Sequence, residues 1–131
     1  MKNDRRGIHS YSPAILLILP LFILCSGTGK ITRTSNIETG YASYYARSLH
    51  GNATASGEKY DEHELTAAHR NYPFGTKIRV TNLENGRSVV VRINDRGPYI
   101  DDRIIDLSYA AAREIDMIHS GIVQVSIERI R

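Results

Sequence analysis

Alternation with a period of two dominates the second half of the chain. In Lys77-Ile-Arg-Val-Thr81, Ile78 and Val80 alternate with Lys77, Arg79 and Thr81, and in the closing stretch Val123, Val125 and Ile127 alternate with Gln124, Ser126 and Glu128. Such a pattern suits a half-buried β-strand and is wrong for a helix. Ser88-Val-Val-Val-Arg-Ile93 is β-branched, and Glu84-Asn85-Gly86 before it carries the turn chemistry of a hairpin. Tyr41 to Tyr45 and Arg103 to Leu107 are further strand candidates. One helix is predicted, Tyr109-Ala-Ala-Ala-Arg-Glu-Ile115, with Ser108 as its N-cap and Gly121 where the chain turns back. The expected class is mainly β, with one or two short helices. Closing such short strands into a small barrel also removes exposed sheet edges.

The N-terminus has a different grammar. Lys2, Arg5 and Arg6 form a positive region ahead of the apolar run Ala14 to Leu24. That run is shorter than the roughly 20 apolar residues of a transmembrane helix, so it reads as an export signal. An uncleaved signal-anchor is the alternative. The domain order is therefore a signal over 1–25, a polar Ser/Thr/Gly-rich tether over 26–39 and one folded domain over 40–131. Charge follows the same division. The net charge is +3, of which the first 25 residues hold +2, leaving 14 basic and 13 acidic side chains on the rest. A near-neutral domain has no electrostatic footprint for nucleic acid.

Cys25 is the single cysteine, so no intrachain disulfide can form. It stands where the apolar run ends, ahead of Ser26-Gly27-Thr28-Gly29. Two readings follow: lipidation of Cys25 as a new N-terminus, or cleavage after Gly27. Leu24 departs from the small residue that usually precedes a lipidated cysteine.

Four segments carry candidate chemistry: Thr54-Ala-Ser-Gly-Glu58-Lys-Tyr60, Leu65-Thr-Ala-Ala-His69, Asn94-Asp95-Arg96-Gly97-Pro98 and Arg103-Ile-Ile-Asp106-Leu-Ser108. Each also has a plain structural reading. Asn94 to Pro98 is good turn chemistry in which Asp95 accepts backbone N–H groups. Asp106 suits a helix entrance or a pair with Arg103, His69 a satisfied core position, and Glu58 a solvated loop.

Taken together and in order, these segments resemble the rare lipoprotein A family, septal-ring lytic transglycosylases built on a double-psi β-barrel. The likeness also rests on Gly40-Tyr-Ala-Ser-Tyr-Tyr45, His50-Gly51, Pro73-Phe-Gly-Thr76, Val80-Thr-Asn-Leu83, Asn85-Gly-Arg-Ser-Val-Val-Val-Arg92 and Ile105-Asp-Leu-Ser108. It implies a six-stranded double-psi barrel preceded by the signal segment. Residue by residue, it puts the catalytic aspartate on Asp95 and two functional polar positions on Glu58 and His69. It further implies an exported protein of the periplasm or cell envelope, a candidate lipid anchor at Cys25, and peptidoglycan glycan strands as partner. No cofactor and no metal are expected, and the five histidines show no ligand spacing. Many family members carry a C-terminal glycan-binding repeat domain, for which these 131 residues leave no segment.

The implied chemistry is cleavage of a glycosidic bond by proton delivery to the leaving oxygen while positive charge grows on the sugar ring. In a lytic transglycosylase the muramic acid's own 6-hydroxyl closes onto the anomeric carbon. One residue, Asp95, then serves as acid and as base. Glu58 is expected to place that hydroxyl or stabilise the cation, and His69 to orient a carboxylate or the substrate. Asp106 is the second candidate acid. Tyr44, Tyr45, Tyr60 and Tyr99 are candidate sugar platforms, with core packing as the alternative for each. Two other functions stay open: a non-catalytic, expansin-like wall-binding module, and a hydrolase pairing Asp95 or Asp106 with Glu58. That inverting pair would stand roughly 6.5–9.5 Å apart.

Overall fold

The computed structural model describes residues 36–131; the signal segment, Cys25 and residues 26–35 of the tether lie outside them. Six strands close into a barrel: β1 (Ile37–Tyr44), β2 (Thr66–Ala68), β3 (Lys77–Asn82), β4 (Ser88–Asp95), β5 (Arg103–Leu107) and β6 (Val123–Arg129), in the order β1-β5-β2-β4-β3-β6. Two of the pairings, β1 with β5 and β2 with β4, are parallel. The other four are antiparallel. The mainly β, six-stranded closed barrel expected from the sequence is what the chain forms.

The period-two segments become strands because alternation sends one face inward. Ile78 and Val80 from β3, Val91 and Ile93 from β4, Ile105 and Leu107 from β5, and Val125 and Ile127 from β6 are buried together. Each such side chain taken out of water contributes about 1.5–3 kcal/mol before the cost of ordering it. Between β3 and β4 the predicted turn is present: Gly86 has φ 76° and its N–H donates to the Asn82 carbonyl at 2.8 Å. A left-handed residue is needed there, and glycine takes that conformation without steric cost.

α1 (Tyr109–Glu114) begins where the sequence predicts. The Ser108 hydroxyl accepts the Ala111 N–H at 3.2 Å and donates to the Glu64 carbonyl at 2.6 Å. Ala110, Ala111 and Ala112 are buried, so small side chains let the helix lie close against the barrel. At its far end, buried Asn82 donates to the Ile115 carbonyl at 2.9 Å.

Three expectations are corrected. The tether does not reach residue 39, because Ile37, Glu38 and Thr39 already pair with Glu128, Ile127 and Ser126 of β6. Asn94 and Asp95 do not belong to a turn but prolong β4. The segment Thr66–Ala68, read only as a bearer of chemistry, is a fully buried strand between β4 and β5. Arg47–Leu49 adds a 3-10 turn that the sequence pattern did not announce.

Candidate active site

β4 is longer than its antiparallel partner. β3 begins opposite Arg92, so Ile93 to Asp95 run on past it and pair instead with Ala67 and Ala68 of β2. Asp95 thus stands at the rim of the barrel, at the last position of an apolar strand. The chain leaves at once through Arg96-Gly97-Pro98. Arg96 holds that exit: its guanidinium donates to the Tyr72 carbonyl at 2.9 Å and lies 4.0 Å from the Phe74 ring centre.

A two-legged loop over residues 51–60 folds onto this rim. Its legs are tied by Gly51 N–H to Tyr60 C=O at 2.8 Å and Tyr60 N–H to Asn52 C=O at 2.7 Å. Its tip closes with Thr54 N–H to Glu58 C=O at 2.8 Å, and Ser56 N–H docks on the Asn94 carbonyl at 3.2 Å. The Ala55 N–H donates to Asp95 Oδ1 at 2.8 Å, beside Arg96 N–H at 2.9 Å. The Tyr45 hydroxyl hydrogen-bonds the other oxygen, Oδ2. Between loop and barrel lies a pocket of about 240 Å³ lined by Tyr45, Leu49, Asn52, Thr54, Tyr60 and Asp95.

Glu58 sits on the same loop, at its exposed edge. Its Oε2 meets Arg92 at 2.7 Å and the Ser56 hydroxyl at 3.4 Å. The Arg92 hydrogen bond holds the Glu58 carboxyl below the usual glutamate range. A carboxylate held ionised cannot donate a proton, but it can oppose positive charge on a sugar.

His69 meets Asp95 through the main chain, its N–H donating to the Asp95 carbonyl at 3.2 Å. Its ring faces elsewhere. Nδ1 accepts the N–H groups of Asn71 and Tyr72, both at 3.1 Å, and Nε2 is 3.5 Å from Glu38. Burial pushes the imidazole below its ordinary range, against the pull of Glu38. The ring is buried and organises the 69–72 corner, and it does not line the Asp95 pocket.

Asp106 lies across the β1–β5 seam. Its Oδ1 is hydrogen-bonded by the Ser43 hydroxyl and by Arg103 at 2.6 Å. The side chain is thus engaged within the seam, and it does not line the Asp95 pocket.

The four tyrosines separate by environment. Tyr44 donates to the Ile118 carbonyl at 2.8 Å and packs on the core, and Tyr60 is 2% exposed with its oxygen accepting the Tyr109 N–H at 3.0 Å. Both serve packing and helix capping, so the alternative reading fits them better than a sugar platform. Tyr45 packs its ring edge-on to Tyr60 at 4.9 Å and uses its hydroxyl on Asp95. Burial, then the bond to Asp95, pushes the Tyr45 phenol strongly upward, so it keeps its proton. Tyr99 is 76% exposed, directly after Pro98 and three residues beyond Arg96, where the chain leaves the site. Sequence reasoning missed the parts played by Arg92, Ser43 and the Ala55 amide, whereas the pair of Asp106 with Arg103 that it offered is present. Arg92 has a visible signal, a charge in a β-branched run, but its partner is 34 residues away.

The family model described as lytic transglycolase matches residues 37–127. A probable endolytic peptidoglycan transglycosylase RlpA of Treponema pallidum is 56% identical over 93 residues, which cover 71% of this chain and 29% of that protein. A protein of the same description from Synechocystis is 44% identical over 128 residues, 97% of this chain and 40% of the relative. The chain thus spans well under half the length of these relatives. Among solved structures, the Streptomyces papain inhibitor superposes with a TM-score of 0.59 at 25% identity, covering 72% of this chain and 94% of the inhibitor. The expansin of Clavibacter michiganensis gives 0.57 at 24% identity, over 72% of this chain and 50% of the expansin, a likeness of fold. With its barrel, its rim aspartate and a family match over nearly the whole described domain, the chain belongs to the lytic transglycolase family of double-psi β-barrels.

Proposed function

We propose that the protein is an endolytic peptidoglycan lytic transglycosylase, with Asp95 as its acid and base. One observation carries the reading. Asp95 ends an apolar strand at the edge of a pocket, with Oδ1 fixed by two backbone amides and Oδ2 turned to a hydroxyl. A carboxyl held this rigidly meets a substrate without reorganising, which favours proton transfer in the transition state.

The steps balance with no second reactant. A proton on Asp95 Oδ2 passes to the oxygen linking MurNAc to GlcNAc, and the C1–O bond breaks with its electron pair on the leaving oxygen. Positive charge spreads over C1 and the ring oxygen, opposed by the Glu58 carboxylate. The 6-hydroxyl of the same MurNAc then bonds to C1 and returns its proton to Asp95. The product ends in 1,6-anhydromuramic acid and the enzyme regains its starting state. Strands poor in stem peptides are the proposed substrate, and the open rim pocket of about 240 Å³ beside Asp95 is the proposed place for a sugar.

The proposed location is the periplasm or cell envelope. An anchor at Cys25 would place Cys25→Ser in the soluble fraction while wild type stays with membranes, because stable anchoring needs more than a single acyl chain. An unchanged distribution would remove the anchor.

Purified peptidoglycan sacculi, with and without stem peptides, test the activity by mass spectrometry of released fragments. Wild type should yield anhydro ends, and Asp95→Asn should lose roughly 10²–10⁴-fold in turnover while still binding glycan. Reducing ends would mark a hydrolase. Binding without release of product by either protein would mark an expansin-like wall-binding module.

A further inference from the structure

We propose that Tyr45 is a positioning residue for Asp95, alternately accepting a hydrogen bond from its protonated carboxyl and donating one to the carboxylate left after proton transfer. This rests on the reading of Asp95 as acid and base and adds a second residue to it.

The two oxygens of Asp95 are not equivalent. Oδ1 receives two backbone N–H groups, from Ala55 at 2.8 Å and Arg96 at 2.9 Å. An N–H group cannot accept, so a proton on Oδ1 would displace one of them. The transferable proton is thereby directed to Oδ2, the oxygen that faces the Tyr45 hydroxyl. A phenol both donates and accepts. With Asp95 protonated, Oδ2–H can point at the Tyr45 oxygen until a substrate oxygen replaces it. With Asp95 ionised, the Tyr45 O–H turns to Oδ2 and stabilises the negative charge that the transfer has just created. No net proton leaves Tyr45 in either direction.

The surroundings suit a fixed, un-ionised phenol. Tyr45 follows directly on β1, and its N–H donates to the Leu107 carbonyl of β5 at 2.9 Å. Its ring is braced by Tyr60 from the 51–60 loop. The charged and titratable groups facing it are Asp95 from β4, Asp106 from β5 and Tyr60 from the loop. Both carboxylates oppose a phenolate, so the hydroxyl stays available as a donor. The Arg96 guanidinium is engaged by the Tyr72 carbonyl and the Phe74 ring. The Arg103 guanidinium is engaged by Asp106 and Ser43.

Tyr45→Phe in the full chain is the test, because it keeps the ring against Tyr60 and deletes only the hydroxyl. Turnover on peptide-free glycan should fall roughly ten- to hundredfold, the range for losing one hydrogen bond to a charged group, with KM changed less than about threefold. A structural role alone would not move the pH profile. Loss of a donor to the carboxylate disfavours the ionised form, so the alkaline limb of kcat should shift upward by about one pH unit. A limb that superimposes on wild type, or turnover equal to wild type, would overturn the role of Tyr45 while Asp95→Asn still abolished activity. Activity surviving in Asp95→Asn would instead overturn the reading beneath it.

Discussion

Glu58 and Arg92 lie 34 residues apart in sequence and meet at 2.7 Å at the exposed edge of the 51–60 loop, where Arg92 also approaches Glu64 at 3.7 Å. Their side chains are 45% and 36% exposed, so solvent screens the pair. An ion pair this exposed contributes about 0.2–1 kcal/mol. What it does for the site is hold a negative charge in one place, with Ser56 as a second support.

The first prediction follows from that separation of stability from chemistry. Glu58→Gln should move the unfolding midpoint by no more than a few degrees. Turnover should fall at least tenfold, since the charge opposing a sugar cation is gone. The native carboxyl lies below its unfolded value, so its small stabilising contribution is complete above about pH 4.3 and fades as pH falls through the native value. Parallel melts and turnover assays on the two proteins check both halves. Equal turnover would remove Glu58 from the reaction.

The second prediction concerns His69. Burial lowers its native pKa below the unfolded value of about 6.5, so the unfolded chain binds the proton more readily. Its contribution is therefore present above pH 6.5 and lost as pH falls from there through the native value. Melting temperature should drop between about pH 7 and 5 in wild type, and His69→Gln should flatten that slope. The variant also leaves the Asn71 and Tyr72 N–H groups without their shared acceptor, at a cost of roughly 1–3 kcal/mol. A slope unchanged by the substitution would show that another group titrates.

These residues also mark what the sequence could disclose. Strands β3 and β6 were legible because each reports its own burial through alternation, and β4 because its run is β-branched and follows a turn. β2 was not, since Thr66-Ala67-Ala68 is buried on every side and has no alternation to show. Its state is set by Arg92 to Asp95 on one side and Asp106 to Leu107 on the other, contacts that local sequence does not carry. His69 illustrates the same limit at the site. Ala68 is the register partner of Asp95, and His69 comes one residue later. The motif placed His69 beside Asp95, and the geometry turns its ring toward Glu38. Tyr45 was visible as an aromatic, but its hydroxyl bond spans 50 residues.

The third prediction decides between the two aspartates. Asp106 and Arg103 have side chains 16% and 21% exposed, and Arg103 Nε is buried without a partner. Asp106→Asn would leave a largely desolvated guanidinium without its counter-charge, which costs about 3–5 kcal/mol in a buried pair. The double variant Asp106→Asn with Arg103→Met should recover part of that stability, because it removes the stranded cation. Denaturant unfolding of the three proteins measures it. If Asp106 is an anchor of the β1–β5 seam, the folded double variant keeps turnover within about tenfold of wild type. Wild-type stability in Asp106→Asn together with abolished turnover would move the acid from Asp95 to Asp106.

The last prediction concerns recognition. Tyr99 is 76% exposed and Ile100 57%, on the segment that leaves Asp95. Arg70 braces that segment, donating to the carbonyls of Pro98, of Ile100 at 3.0 Å and of Arg103 at 3.1 Å. An aromatic ring exposed at this level has no packing to lose, yet its main chain is held. Such a ring can receive a sugar face at little entropic cost. Aromatic contacts of this kind are worth about 0.5–1.5 kcal/mol, or roughly two- to tenfold in affinity. Tyr99→Ala should therefore raise KM for glycan by about that factor, leaving kcat and the melting temperature near wild type, while Tyr99→Phe should restore the wild-type KM because the ring is retained. Steady-state kinetics on peptide-free strands separate the two parameters. A fall in kcat with KM unchanged would show that Tyr99 acts on Asp95 and its exit turn, not on the sugar.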